Sequence, residues 1–328
     1  MGIGIGNFLD ERNSIRFSMI FPGQGSQSVG MLSELSREHS EVQRTFSESS
    51  DILGYDLWRI VQKDSEEKLK KTSITQPAIL SASISILRVW KKIGGRMPGI
   101  MAGHSLGEYS ALVGSEVINF ETAVRLVELR GKLMEESVQN KIGEMYAIIG
   151  LDESVVSSLC RDISRDCAEI VSISSFNSDR QVVISGQIKS IRKVVDLCKK
   201  LGANLVRKLP VSVPSHCMLM KPAAKKLKKF IEKIHFKTPK IEVINNVNAK
   251  IEHSSNKIKE SLIKQMYSPV KWTKVIDLIS RKGYIYFLEI GPGSVLTKLN
   301  RRIFGRSSSF EVNDLESMRI ALIKVNGG

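Results

Sequence analysis

The stretch Gly103-His104-Ser105-Leu106-Gly107 has the spacing G-x-S-x-G. In that pattern a sharp turn between a strand and a helix lifts a serine clear of a sheet, and the flanking glycines leave room for close packing. The amide after the serine then points, at a helix amino terminus, toward the place where negative charge develops during attack on a carbonyl. Five-residue matches also arise by chance. Its position directly after the apolar run Ile100 to Ala102 is what makes Ser105 a candidate nucleophile.

A serine hydroxyl needs a base to take its proton. The chain has 5 histidines: His39, His104, His216, His235 and His253. His104 adjoins Ser105, so its side chain should diverge. His39 and His253 sit among polar residues and His235 ends a lysine-rich segment, so all three read as solvated. His216 follows Leu209-Pro210-Val211-Ser212-Val213-Pro214, a stiff apolar approach suited to delivering a side chain to an interior site. It reads nearly as well as a packed core histidine as it does as the base.

Arg130 lies on a helix expected from Phe120 to Glu136, and its neighbours one turn away, Leu126, Val127, Leu133 and Met134, are all apolar. A cation on a buried stripe needs an anion. Arg130 therefore either pairs with an internal carboxylate such as Glu108, or receives a substrate carboxylate, which a planar two-pronged donor grips well. Arg125, flanked by Glu121 and Glu128, belongs to the wet face.

The elements that would hold these groups are legible in outline. Phe17 to Phe21 reads as a buried strand leaving through Pro22-Gly23-Gln24-Gly25; Pro77 to Trp90 as a helix; Ile100 to Ala102 as a strand running into the serine turn; Tyr284 to Ile290 as another strand before Gly291-Pro292-Gly293. That order argues an α/β fold, a parallel sheet with helices on both faces. Between them the rhythm changes: a strand at Met145 to Gly150, a helix from Glu153 to Cys160, a strand at Gln181 to Ser185, a helix from Ile188 to Leu201 and a strand at Asn204 to Leu209 suggest a small inserted α+β unit.

With 328 residues, 42% hydrophobic and 25% charged, the chain can bury roughly three quarters of its unfolded surface. The longest apolar candidate, Ile79 to Trp90, is broken by Ser81, Ser83, Ser85 and Arg88, far short of a membrane span. Four scattered cysteines lack the close pairs of zinc sites or secreted scaffolds, and the amino-terminal residues lack the pattern of a secretory signal; a cytoplasmic, metal-free protein is expected. Residues 1–16 read as a flexible extension. The net charge of +15 favours an acidic partner; aromatic residues, at 6%, offer few stacking platforms for nucleic acid, acidic carrier proteins and phosphorylated cofactors fit equally well, and any single basic run reads first as a solvated helix face.

Laid in order, Phe21-Pro22-Gly23-Gln24-Gly25-Ser26-Gln27, Gly103 to Tyr109, Arg130-Gly131, Val213-Pro214-Ser215-His216-Cys217, Asn245-Asn246-Val247, Tyr267 to Trp272 and Glu289-Ile290-Gly291-Pro292-Gly293 make the chain resemble the malonyl-CoA:acyl carrier protein transacylases of bacterial fatty acid synthesis. The resemblance implies Ser105 as the acylated nucleophile, His216 as its base oriented by the main-chain carbonyl of Gln265, the amides of Gln24 and Leu106 as the oxyanion hole, and Arg130 as the grip on the malonyl carboxylate. It implies an α/β-hydrolase-like large domain over 17–141 and 211–318 and a ferredoxin-like small domain over 142–210. It also implies malonyl-CoA and an acidic acyl carrier protein as partners, no cofactor of the chain's own, no nucleic acid, no membrane, and a monomer. Glu144 and Tyr146 stand where small residues are usual, and Asp179-Arg180 replaces the usual proline-glycine. A serine esterase or thioesterase would use the same serine and histidine but has no use for Arg130; a silent carrier-binding module would have no use for all three.

Overall fold

The structure is a computed structural model that describes residues 15–64, 67–138, 143–211, 213–304 and 308–326. Of the expected extension, residues 1–16, all but Ile15 and Arg16 lie outside the described residues. Arg16 stacks its guanidinium 4.5 Å from the ring centroid of Tyr284.

The chain forms nine strands, β1 (Phe17–Phe21), β2 (Ile100–Gly103), β3 (Gly143–Ile149), β4 (Val171–Ser178), β5 (Gln181–Gln187), β6 (Leu205–Lys208), β7 (Glu242–Ile244), β8 (Tyr286–Ile290) and β9 (Ser309–Val312), among the described residues. Five of them make an all-parallel sheet in the order β7-β2-β1-β8-β9. Its central strands, β1 and β2, are buried along their whole length, which is why both read as apolar runs, with Ser18 the one polar residue of β1. Helices cover both faces. On one, Thr72–Lys92, Gly107–Gly114 and Phe120–Glu136 pack together in the main core; on the other, Trp272–Arg281 and Val295–Phe304 supply Trp272, Val275, Ile276, Ile279, Leu296 and Leu299 to a second core.

The remaining strands form an antiparallel sheet, β4-β5-β3-β6, with the helices Glu153–Cys167 and Ile188–Lys200 on one face. Alternation along β3 sends Tyr146 and Ile148 toward those helices, while Met145 and Ala147 face the other way with Val183, Leu209 and Val211. The order strand, helix, strand, strand, helix, strand is ferredoxin-like. The sequence rhythm lacks one of these strands, β4, because Val171-Ser172-Ile173-Ser174-Ser175-Phe176-Asn177-Ser178 is half polar. Ser174 is nevertheless buried, its hydroxyl donating to the Val183 carbonyl. The first helix of this unit also runs past its expected end at Cys160 to Cys167. At the β4–β5 turn, Asp179-Arg180 connects the strands without a positive φ, and Arg180 returns to the Gly150 carbonyl. Glu144 is paired with Lys208.

The two sheets are stitched at one seam. Val270 pairs with β4, donating to Ser174 O at 2.9 Å, while Phe176 N donates to Val270 O at 2.9 Å. On the same seam Ser185 Oγ donates to Ser215 O at 2.7 Å. No helix among the described residues is long and apolar enough to cross a membrane.

The close approach of the serine turn to β1 rests on Gly107, where an added Cβ would fall 2.0 Å from the Phe21 carbonyl oxygen. Backbone cannot yield as side chains do. At Gly114, on the same helix, a Cβ would meet only Met101 Sδ at 3.1 Å and Leu87 Cδ2 at 3.2 Å. Gly107→Ala is therefore expected to lose about 2 kcal/mol or more relative to Gly114→Ala, where gained helix propensity offsets mild crowding. Urea unfolding of the two variants checks this, and equal midpoints would show that the turn has slack.

Candidate active site

Strand β2 ends at Gly103, and the chain turns through Ser105, held at φ 53°. A non-glycine residue there is strained, and the turn is secured from three sides. His104 N donates to Phe21 O at 2.9 Å; Asn246 Nδ2 donates to Gly103 O at 2.7 Å; Ser105 N donates to Asn246 Oδ1 at 2.6 Å. One side-chain amide thus closes the turn from both ends. The helix Gly107–Gly114 begins immediately afterward, as the G-x-S-x-G reading requires.

His216 arrives from the far end of the chain and also has a positive φ, 61°. Its Nδ1 lies 2.7 Å from the main-chain oxygen of Gln265 and its Nε2 lies 2.7 Å from Ser105 Oγ. A carbonyl can only accept, so the ring proton sits on Nδ1, and Nε2 is left to accept the serine proton. His216 is 5% exposed. Burial, then the nearby positive charge of Arg130, push its pKa down to about 3, so the ring rests neutral. His104 diverges from this pair: its Nε2 is 3.0 Å from Asn177 Oδ1 on β4, and its ring centroid is 5.5 Å from that of Trp272. Burial lowers its pKa.

Arg130 projects from Phe120–Glu136 into the same centre and is 2% exposed. The next residue, Gly131, lets this helix close on Thr72–Lys92, since an added Cβ would fall 2.5 Å from Ser73 Cα. Among the described residues Arg130 forms no ion pair with a carboxylate. Its Nη2 donates to Gln265 Oε1 at 3.1 Å and to Ser105 Oγ at 3.3 Å, and its Nε has no partner. Glu108 is near but separate. Gln265 stands between them, its Nε2 donating to Glu108 Oε2 at 2.8 Å and to Ser105 O at 3.0 Å. Asn246 N donates to the same Glu108 oxygen at 3.0 Å. Burial raises the pKa of Glu108 to about 7, against the opposing pull of these two donors.

Gln24 stands in the turn after β1, against the serine turn, with its side chain donating to Thr72 Oγ1 at 3.2 Å. Neither its main-chain amide nor that of Leu106 donates a hydrogen bond among the described residues. Among the described residues these two N–H groups therefore have no protein acceptor, and the turn that carries Gln24 abuts the serine turn, an added Cβ at Gly23 falling 2.4 Å from His104 O. No three potential metal ligands converge among the described residues.

The structure thus brings Ser105, His216, Arg130 and the Gln265 carbonyl into one cluster, with the Gln24 turn alongside. Sequence reasoning missed the side chains of Gln265 and Asn246. Asn246 could have been suspected from the doubled amide Asn245-Asn246, whereas a glutamine closing a lysine-rich helix, Ser255–Gln265, carries no such signal.

The family description "Acyl transferase domain" matches residues 18–321. The malonyl CoA-acyl carrier protein transacylase of Salmonella typhimurium is 48% identical over 307 residues, covering 94% of this chain and 99% of that protein. The one from Haemophilus influenzae is 49% identical over 303 residues, covering 92% and 96%. Among solved structures, a malonyl-transacylase in complex with a type II PKS acyl-carrier protein is 51% identical with a TM-score of 0.92, covering 94% of this chain and 99% of that one. The malonyl CoA-acyl carrier protein transacylase of Coxiella burnetii is 42% identical with a TM-score of 0.93, covering 95% and 98%.

If burial and Arg130 hold the His216 ring neutral, its ring-nitrogen NMR signals, assigned by their loss in His216→Ala, should remain those of neutral imidazole from pH 8 down to pH 5, where an ordinary imidazole of pKa about 6.5 is almost fully protonated. A signal that titrates near the ordinary value would show that the pocket is wetter than its geometry.

Proposed function

The chain belongs to the acyl transferase domain family, and on that premise we propose that it moves a malonyl group from malonyl-CoA to the phosphopantetheine thiol of an acyl carrier protein, through a malonyl ester on Ser105, in the cytoplasm. The observation that carries this reading is Arg130: a buried guanidinium with no carboxylate in contact, 3.3 Å from the candidate nucleophile. In a malonyl thioester the free carboxylate is two bonds from the carbonyl carbon under attack. A cation that reads it must lie close beside the nucleophile, where Arg130 is.

In this scheme His216 Nε2 takes the Ser105 proton as Oγ attacks the thioester carbonyl, and the resulting oxyanion is held by the amides of Gln24 and Leu106. The Gln265 carbonyl supports the imidazolium through Nδ1. CoA leaves as its thiol once the proton returns to sulfur. The carrier thiol, mostly protonated at neutral pH, then gives its proton to His216 and attacks the ester carbonyl; the bond from that carbon to Ser105 Oγ breaks and Oγ takes the proton back from His216. Both halves use one site, so the kinetics are ping-pong. Transfer between two thioesters is nearly balanced in energy, and the scheme calls on no metal or prosthetic group. The net charge of +15 favours encounter with an acidic carrier.

Intact-mass spectra after incubation with malonyl-CoA test the reading. Wild type should gain one malonyl group; Ser105→Ala should gain none, and His216→Ala should acylate slower by orders of magnitude. Release of free malonate without an adduct would assign a hydrolase instead.

Arg130→Ala should cut kcat/KM for malonyl-CoA by orders of magnitude, because truncating one side of a charge-assisted pair in a partly dry site costs roughly 2–5 kcal/mol. Acetyl-CoA has no carboxylate to lose, so its transfer should hold or rise. Equal losses for both substrates would make Arg130 a structural residue.

A further inference from the structure

Arg130 is a cation with 2% exposure and no carboxylate in contact, an arrangement that costs dearly unless charge is compensated nearby. Glu108, also 2% exposed, stands one amide away and in its ionised form supplies that charge. Gln265 is wholly buried and spans the gap: Nε2 faces Glu108 Oε2 at 2.8 Å and Ser105 O at 3.0 Å, while Oε1 faces Arg130 Nη2 at 3.1 Å. The amide has only one workable orientation. Turned over, its oxygen would meet a carboxylate and a carbonyl, and its NH2 would meet a guanidinium.

We infer that the Gln265 side chain, oriented by Glu108, is a positioning residue that places the Arg130 guanidinium for the acyl carboxylate and thereby sets the preference for a carboxylated acyl group. Had Glu108 touched Arg130 directly, it would have taken the fork the substrate needs. The interposed amide binds one nitrogen of the guanidinium and passes on the counter-charge, leaving Nε without a partner. The main-chain carbonyl of Gln265 serves His216, so one residue sets the base through its backbone and the specificity cation through its side chain.

This inference rests on the malonyl-transfer reading. The test measures kcat/KM for malonyl-CoA and acetyl-CoA in wild type, in Gln265→Met, which keeps the volume but removes the amide, and in Gln265→Glu, which keeps the shape but adds a carboxylate that closes on Arg130. The acetyl arm reports whatever either change does to the Ser105–His216 pair, so the ratio isolates carboxylate reading. The malonyl-to-acetyl ratio should fall at least about thirtyfold in Gln265→Met and at least about a hundredfold in Gln265→Glu, mainly through KM for malonyl-CoA. In an Arg130→Ala background the further fall in that ratio should shrink to less than about threefold, since there is no guanidinium left to place. An unchanged ratio in both variants, or the same fall with and without Arg130, would overturn the inference while leaving transacylation intact. Failure of wild type to acquire a malonyl group would instead sink the reading on which it stands.

Discussion

A guanidinium buried beside a serine-histidine pair, with its counter-charge kept one amide away, is the constraint around which the centre of this protein is arranged. Arg130, Gln265 and Glu108 form a chain of guanidinium, amide and carboxyl in which Gln265 bonds to both neighbours and Arg130 Nε is left without a partner. A direct ion pair would be the simpler way to bury Arg130, but it would leave no free fork. An isolated cation would be too costly to bury. Both neighbouring groups feel the arrangement: the charge of Arg130 helps keep His216 neutral, and burial leaves Glu108 poised near neutrality at about 7.

The same groups hold the two sheets in register. Asn246 closes the serine turn with its side chain, donates its amide to Glu108, and accepts from Lys271 N at 3.0 Å, one residue from the Val270 bridge to β4. His104, next to Ser105, reaches Asn177 on β4. Ser215, next to His216, is held by Ser185 on β5. Ser105 and His216 therefore each have a neighbour in sequence that is tied to the small sheet, and the cluster sits at the seam.

What the sequence disclosed followed from local pattern. Ser105 stood in a motif behind an apolar strand, and Arg130 was conspicuous because a cation on an apolar stripe is a local contradiction. The parallel strands β1, β2 and β8 showed as largely apolar runs, with Ser18 and Glu289 the exceptions, because both of their faces are buried. Polar groups that are buried because a distant partner satisfies them left no such trace. Ser174 and Asn177 made β4 look like loop, and their acceptors and donors, Val183 O and His104, lie on other elements. The Gln265 side chain was hidden for the same reason: its partners are 135, 157 and 160 positions away. The choice between Glu108 and a substrate carboxylate for Arg130 stayed open in the residues themselves, because the interposed amide is visible only in three dimensions.

Ser105 and His216 share a further property: both adopt left-handed backbone angles, at φ 53° and 61°, that side chains other than glycine resist. Each costs about 1–2 kcal/mol of backbone energy that a glycine would avoid. The Ser105–His216 pair is thus among the least comfortable parts of the chain, held in place by the surrounding hydrogen bonds and not by its own preference. At both positions, therefore, backbone comfort and side-chain identity pull in opposite directions: a glycine would relieve the turn and remove the hydroxyl or imidazole that makes the pair.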